Sequence, residues 1–89
     1  MTRGGKMTGI NYLAEIMVHL SAMIEDKAKL GDFIVEFSNI LEQYIELGES
    51  WENTVTEIKF QLQGIAKANA FAAHFSIFEV ALLRLWRLK

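Results

Sequence analysis

Four residues of this 89-residue chain have side chains that could together hold a metal ion: Glu15, His19, His74 and Glu79. Glu15 and His19 share one face of a helix at i,i+4 spacing, whereas His74 and Glu79 lie about 140° apart around a helix. Carboxylate-bridged metal sites in helical bundles typically use Glu-x-x-His repeats. We therefore predict no metal site, and we expect these residues to form ion pairs or hydrogen bonds at a helix interface.

The rest of the sequence argues against an enzyme. No Ser–His–Asp order, phosphate-cradling glycine loop or pair of buried carboxylates stands out. Cysteine is absent, which excludes disulfides, thiol catalysis and cysteine-ligated zinc or iron–sulfur centres. We predict a non-enzymatic protein without a cofactor. A chain this short that has no disulfide or metal commonly gains stability by oligomerisation.

The elements that must carry these residues are helices. Apolar residues recur at spacings of three and four along both halves of the chain, and strand-like alternation is nowhere sustained. In the first half only Lys27 interrupts the heptad seam. The pattern predicts an all-α fold, with the two seams formed by Leu13, Ile16, Leu20, Met23, Leu30, Ile34, Phe37, Leu41 and Tyr44, and by Trp51, Val55, Ile58, Leu62, Ile65, Phe71, Phe75, Phe78, Leu82 and Leu85.

Two glycines compete as helix breaks. Gly48 suits a helix C′ position with Ser50 as the next N-cap, and Gly31 suits a C′ position with Asp32 as the next N-cap. The heptad register passes through Gly31 without a phase change. We therefore favour an antiparallel hairpin of two long helices, 10–47 and 50–89, each about 57–60 Å long, after a flexible basic arm over 1–9. A three-helix bundle broken at both glycines is the alternative.

The last 25 residues are apolar on nearly every side, which one partner helix cannot cover. Ile77, Val80 and Leu88 form a second stripe, and several alanines permit close helix approach. Either a homodimeric four-helix bundle or an extended assembly of many copies would bury this surface. We expect self-assembly residues in this segment, namely Phe71, Phe75, Phe78, Leu82, Leu83, Leu85 and Trp86. Lys67, Asn69, His74 and Glu79 interrupt the apolar stretch, so we expect no membrane partner.

Charge is distributed unevenly along the chain. Residues 31–57 contain seven acidic residues and no Lys or Arg, a net charge of −7, whereas both termini are basic. Glu42 and Glu46 fall in the last turns of the first predicted helix, where the helix dipole favours basic residues. A straight hairpin would have an acidic end at the turn and a basic end at the termini. The candidate nucleic-acid-binding residues are Arg3, Lys6, Arg84, Arg87 and Lys89.

Two tryptophans offer flat rings near these charges. Trp51 follows the predicted turn, and we expect it to cap the end of the hairpin. Trp86 lies between Arg84 and Arg87, which favours contact with a nucleic acid or with an adjacent subunit.

An acidic end, an alanine-rich apolar middle and a basic end together resemble the small α-helical coat proteins of rod-shaped and filamentous viruses, most closely the major coat proteins of clavavirus-like archaeal viruses. The resemblance covers the whole chain and is architectural. It implies a virion protein that self-assembles into a helical rod around nucleic acid, with basic termini toward the genome and the acidic turn toward solvent. Such binding is independent of nucleotide sequence, because charge neutralisation and counterion release supply it.

Two alternatives differ in partner and location. A dimeric four-helix-bundle interaction or regulatory protein would be cytoplasmic. The segment WENTVTEIKFQLQGIAK also resembles the second helix of the secreted WXG100 hairpins. The Trp-x-Gly turn of that family is missing, because Gly48 precedes Trp51, and no tail carries the family's Tyr-x-x-x-Asp/Glu export signal.

Overall fold

Four α-helices make up the described part of the chain, residues 4–88 of a computed structural model, with side chains described from residue 11. They are α1 (Gly4–Met23), α2 (Lys27–Leu47), α3 (Trp51–Gln63) and α4 (Ala68–Arg87). Within these residues there is no strand, so the all-α prediction is confirmed. The helix bounds differ from the predicted pair, because each of the two predicted helices is interrupted.

The turn between α2 and α3 is where the sequence predicts it. Gly48 adopts the left-handed conformation at φ 72°, and its N–H donates to the carbonyl of Ile45 at 3.1 Å. The N–H of Glu49 donates to the carbonyl of Tyr44 at 2.9 Å, which satisfies another terminal carbonyl of α2. Ser50 then caps α3, since its side-chain oxygen accepts from the N–H of Asn53. Gly48 and Ser50 therefore act as local stop and start signals.

The first predicted helix, 10–47, is wrong as one continuous element, because it is interrupted at residues 24–26. Asp26 is the N-cap of α2, and one carboxylate oxygen accepts from the N–H groups of Ala28 and Lys29 at 2.8 and 3.1 Å. Gly31, the alternative break, lies inside α2. The physical reason for the interruption is this carboxylate cap, which satisfies two N–H groups that an uninterrupted helix would bond internally.

The second predicted helix, 50–89, is interrupted at residues 64–67. No side chain caps the start of α4; instead the N–H of Lys67 donates to the carbonyl of Met23 at 3.1 Å. An exposed ion pair, Lys67 to Glu25 at 3.1 Å, spans the same two segments. The interruption in the second half is therefore held against the interruption in the first half.

Because the two breaks are adjacent, the hairpin folds back on itself. α1 lies antiparallel to α4, as the pairs Tyr12–Arg84 and His19–His74 show, and α3 packs on both α2 and α4. Phe37 of α2 contacts Phe78 of α4, with ring centroids 6.1 Å apart. The unit measures 39 × 30 × 22 Å, shorter than a straight hairpin. Its core comprises Ile16, Leu20, Met23, Ile24, Phe33, Phe37, Ile40, Ile58, Leu62, Phe75, Phe78, Ala81 and Leu82.

We predict opposite effects when alanine replaces the two glycines that competed as breaks. A Cβ at Gly31 would meet no atom within 4 Å, so Gly31→Ala should raise the free energy of unfolding by about 0.5–1 kcal/mol. Gly48→Ala should lower it by about 1–2 kcal/mol, because the left-handed conformation crowds a Cβ. Urea denaturation followed by circular dichroism measures both changes. A loss of stability in Gly31→Ala would contradict the continuous α2.

Candidate functional site

The α1–α4 interface contains both histidines of the chain. The Nδ1 atoms of His19 and His74 are 3.0 Å apart, and the ring centroids are 5.2 Å apart. Both side chains are half-buried. A hydrogen bond at this distance requires one ring to donate an N–H and the other to offer a lone pair, so at least one imidazole is neutral. The expected interface hydrogen bond is confirmed for this pair, whereas Glu15 is exposed.

The predicted nucleic-acid-binding residues are only partly described. Arg84 and Arg87 are exposed in the last turn of α4, and the Arg84 guanidinium lies 6.0 Å from the centroid of the Tyr12 ring. Arg3 and Lys89 lie outside the described residues, as does the side chain of Lys6. The backbone of α1 begins at Gly4, inside the predicted basic arm; the flexibility of that arm stays a prediction.

The acidic turn and the basic end of α4 are neighbours in the folded chain. The ring centroids of Trp51 and Trp86 are 5.7 Å apart. Trp51 comes one residue after the turn, and Trp86 lies between the two arginines. The predicted placement of these charges at opposite ends of a hairpin is therefore wrong for this chain. The reason is the interruption at 64–67, which turns α4 back along α3 so that its C-terminus meets the N-terminus of α3.

Charge is instead separated across the unit. α2 and α4 contact each other through Phe37 and Phe78. Glu46 lies about 180° around α2 from Phe37, and Arg87 lies about 180° around α4 from Phe78, at about 100° per residue. Both charged residues are exposed. The outer face of α2 is therefore acidic, with a shallow depression lined by Glu36, Asn39, Glu42, Gln43 and Glu46, while the outer face of α4 ends in arginines.

Most of the predicted self-assembly residues pack inside their own chain. Phe78 and Leu82 are fully buried, and Phe75 and Trp86 are 8% exposed. Phe71, Leu83 and Leu85 are half-buried. The reason is that the folded-back chain brings α1, α2 and α3 against α4, so the face that carries Phe75, Phe78 and Leu82 is covered without a second copy. Trp86 packs against Trp51, so its ring is not presented as a stacking platform.

A different stripe of α4 faces solvent, and we call it the α4 outer seam. It consists of Ala73, Ile77, Val80, Arg84 and Arg87, all exposed, at alternating spacings of four and three. Ile77 is 48% exposed and Val80 is 50% exposed. This is the spacing with which a helix presents a seam to a partner helix. The sequence signal was the second stripe of Ile77 and Val80, but periodicity alone does not say which apolar stripe faces outward.

Other features of the described residues are less specific. α4, Ala68–Arg87, is the helix in this part of the chain that is long and apolar enough to cross a membrane, a test that a core helix of a soluble protein also passes. No group of three or more His, Asp or Glu residues is arranged to hold a metal ion within the described residues. No protein-family model, curated protein or solved structure matches the chain.

We predict energetic coupling between Trp51 and Trp86. In a double-mutant cycle of Trp51→Leu and Trp86→Leu, urea denaturation should give an interaction energy of about 0.5–1.5 kcal/mol, as for other aromatic pairs. The control cycle combines Trp86→Leu with Phe60→Leu instead of Trp51→Leu. Phe60 is 71% exposed and lies about 13 Å further along the axis of α3 than Trp51. The control pair should be additive within about 0.5 kcal/mol. Additivity in both cycles would contradict the folded-back arrangement.

Proposed function

We propose that this protein is a structural subunit that self-associates through the α4 outer seam. The observation that carries the proposal is the pair Ile77 and Val80, half-exposed at seam spacing on a chain that already has its own core. Ala73 precedes them on the same seam and leaves the backbone accessible to a close partner helix. A partner helix seated there would remove this apolar surface from water, which favours association.

The form of assembly that we favour is a helical virion coat built around nucleic acid. Arg84 and Arg87 continue the seam beyond Val80 and are exposed. Repeated over many copies, such arginines would neutralise phosphates without reading bases, and the release of counterions would supply the affinity. Glu42 and Glu46 on the outer face of α2 would then face solvent on the other side of each subunit. The polarity of the coat would run across the subunit rather than along a straight hairpin.

A closed dimer with an interaction or regulatory role is the second candidate. The proximity of the acidic turn to the basic end of α4 favours a closed dimer. The acidic side chains would partly cancel the positive charge of a lumen lined by the arginines. Two copies related by a twofold axis would cover each other's seam and stop there, whereas a coat requires contacts that propagate. Electron microscopy and light scattering of the purified chain separate the two: rods of uniform width indicate a coat, and a discrete dimer excludes it.

We predict that Val80→Lys abolishes self-association while the chain stays folded. Val80 is 50% exposed, so lysine causes little strain in the monomer, but burial of its charge in a helix–helix contact is costly. Val35→Lys is the matched control, since Val35 is 62% exposed and lies on the outer face of α2, about 160° around that helix from Phe37. Light scattering should show smaller particles for Val80→Lys alone, with equal helix content for both variants by circular dichroism. Unchanged assembly in Val80→Lys would contradict the seam.

We also predict that the double change Arg84→Gln with Arg87→Gln weakens nucleic-acid binding. On duplex DNA, the slope of log affinity against log salt should flatten by about 0.9 for each phosphate that the variant no longer neutralises. The control is Lys27→Gln with Lys29→Gln, which removes the same charge from exposed positions at the start of α2. Fluorescence anisotropy at several salt concentrations measures both variants. Equal loss of affinity in the two variants would mean that net charge alone explains the loss, and it would favour the closed dimer.

A further inference from the structure

We propose, contrary to the expectation from the sequence, that His19 and His74 form a binding site for a divalent transition-metal ion, with Cu²⁺ as the preferred ion, which joins α1 to α4. This site goes beyond self-assembly and does not depend on it. The observation that carries it is the approach of two imidazole nitrogens, one from each helix, to 3.0 Å. Imidazole nitrogen is a common ligand of copper, nickel and zinc.

The separation of the nitrogens is close to that of two ligands on one metal ion. Two nitrogens 3.0 Å apart, each about 2.0–2.1 Å from a common ion, subtend an angle of about 90–100° at that ion. Adjacent positions of a square-planar or tetragonal complex, the geometry of Cu²⁺ and Ni²⁺, are about 90° apart. Tetrahedral Zn²⁺ needs its nitrogens about 3.3 Å apart. The ring centroids are 5.2 Å apart, which places the two Nδ1 atoms almost in line between them, so both rings must rotate before their lone pairs meet at one ion. Geometry therefore does not decide between the ions, and Cu²⁺ is preferred because nitrogen sites bind it most tightly among divalent first-row metals.

The imidazole rings of His19 and His74 lie next to the hydrophobic core, which fixes the helices that carry them. Ile16 and Met23, about one turn to either side of His19, are completely buried, and so is Phe78, one turn after His74. Fixing the helices in this way reduces the ordering that a bound ion must impose, and such preorganisation improves affinity. Both imidazoles are half-buried rather than enclosed, so water can reach the ion and occupy its remaining positions.

The proton balance of the site is simple. In the hydrogen-bonded pair one ring carries its hydrogen on Nδ1 and donates it to the other ring. When both Nδ1 atoms bind an ion, the donor ring changes tautomer and carries its hydrogen on Nε2, with no net gain or loss of a proton. If both rings begin neutral, a metal ion thus replaces a hydrogen bond with two coordinate bonds between the same nitrogens. Metal ligation by histidine requires the neutral ring, so acid should weaken binding.

The test is Cu²⁺ titration of the untagged full-length chain, followed by electron paramagnetic resonance. The sequence contains two histidines and no cysteine, so every imidazole signal comes from His19 or His74. We expect one Cu²⁺ per chain and the nitrogen superhyperfine splitting of two imidazoles. Splitting from a single imidazole in the native chain, or no specific binding, would overturn the proposal.

Variants locate the ligands and separate a site within one chain from a bridge between copies. His19→Gln and His74→Gln should each weaken affinity by more than the roughly 10- to 100-fold that removal of an outer-shell partner costs. Cu²⁺ should raise the unfolding temperature of the native chain and not that of either variant. The double variant measures background binding at the termini and carboxylates. Equal affinity in native and double-variant chains, or recovered two-nitrogen binding when the two single variants are mixed, would overturn the site.

Discussion

The burial of α4 is the constraint on which the rest of this structure depends. Its sequence is apolar on almost every side, and a straight hairpin would give it one neighbouring helix. The interruptions at residues 24–26 and 64–67 let α1, α2 and α3 all contact α4, with Phe37 reaching Phe78 across the unit. The hydrogen bond from Lys67 to the carbonyl of Met23 joins the two interruptions. The contact between Trp51 and Trp86, the pairing of the histidines and the exposure of the α4 outer seam are all consequences of this arrangement.

The sequence predicted those features that local chemistry controls. Gly48 and Ser50 end one helix and begin the next through hydrogen bonds to residues only a few positions away, so their types and order were sufficient. Asp26 is an equally local cap, but the heptad register continues past it with only Lys27 out of place, which predicted an uninterrupted helix. The interruption before α4 has no side-chain cap. Its Lys67 N–H is satisfied by a carbonyl 44 positions earlier, which periodicity cannot indicate.

The same distinction applies to the candidate sites. That the histidines would hydrogen-bond at a helix interface was predictable, although which side chains pair there depends on how α1 lies against α4. The choice of outward stripe on α4 was not, since Phe78 and Val80 are both apolar and only tertiary packing buries the first and exposes the second. The folded-back chain also changes the functional argument. Opposite charges that a straight hairpin would separate by its whole length are separated across the subunit, between the acidic face of α2 and the arginines of α4.

Double electron–electron resonance between spin labels at Glu52→Cys and Arg87→Cys tests the folded-back arrangement most directly. The chain has no native cysteine, and dilution with unlabelled chain leaves only distances within one molecule. In an uninterrupted helix these positions would be about 52 Å apart, at 1.5 Å per residue. The adjacent Trp51 and Trp86 rings have centroids 5.7 Å apart, so we predict a label separation of less than half that length. A distance near the full helix length would contradict the folded-back arrangement.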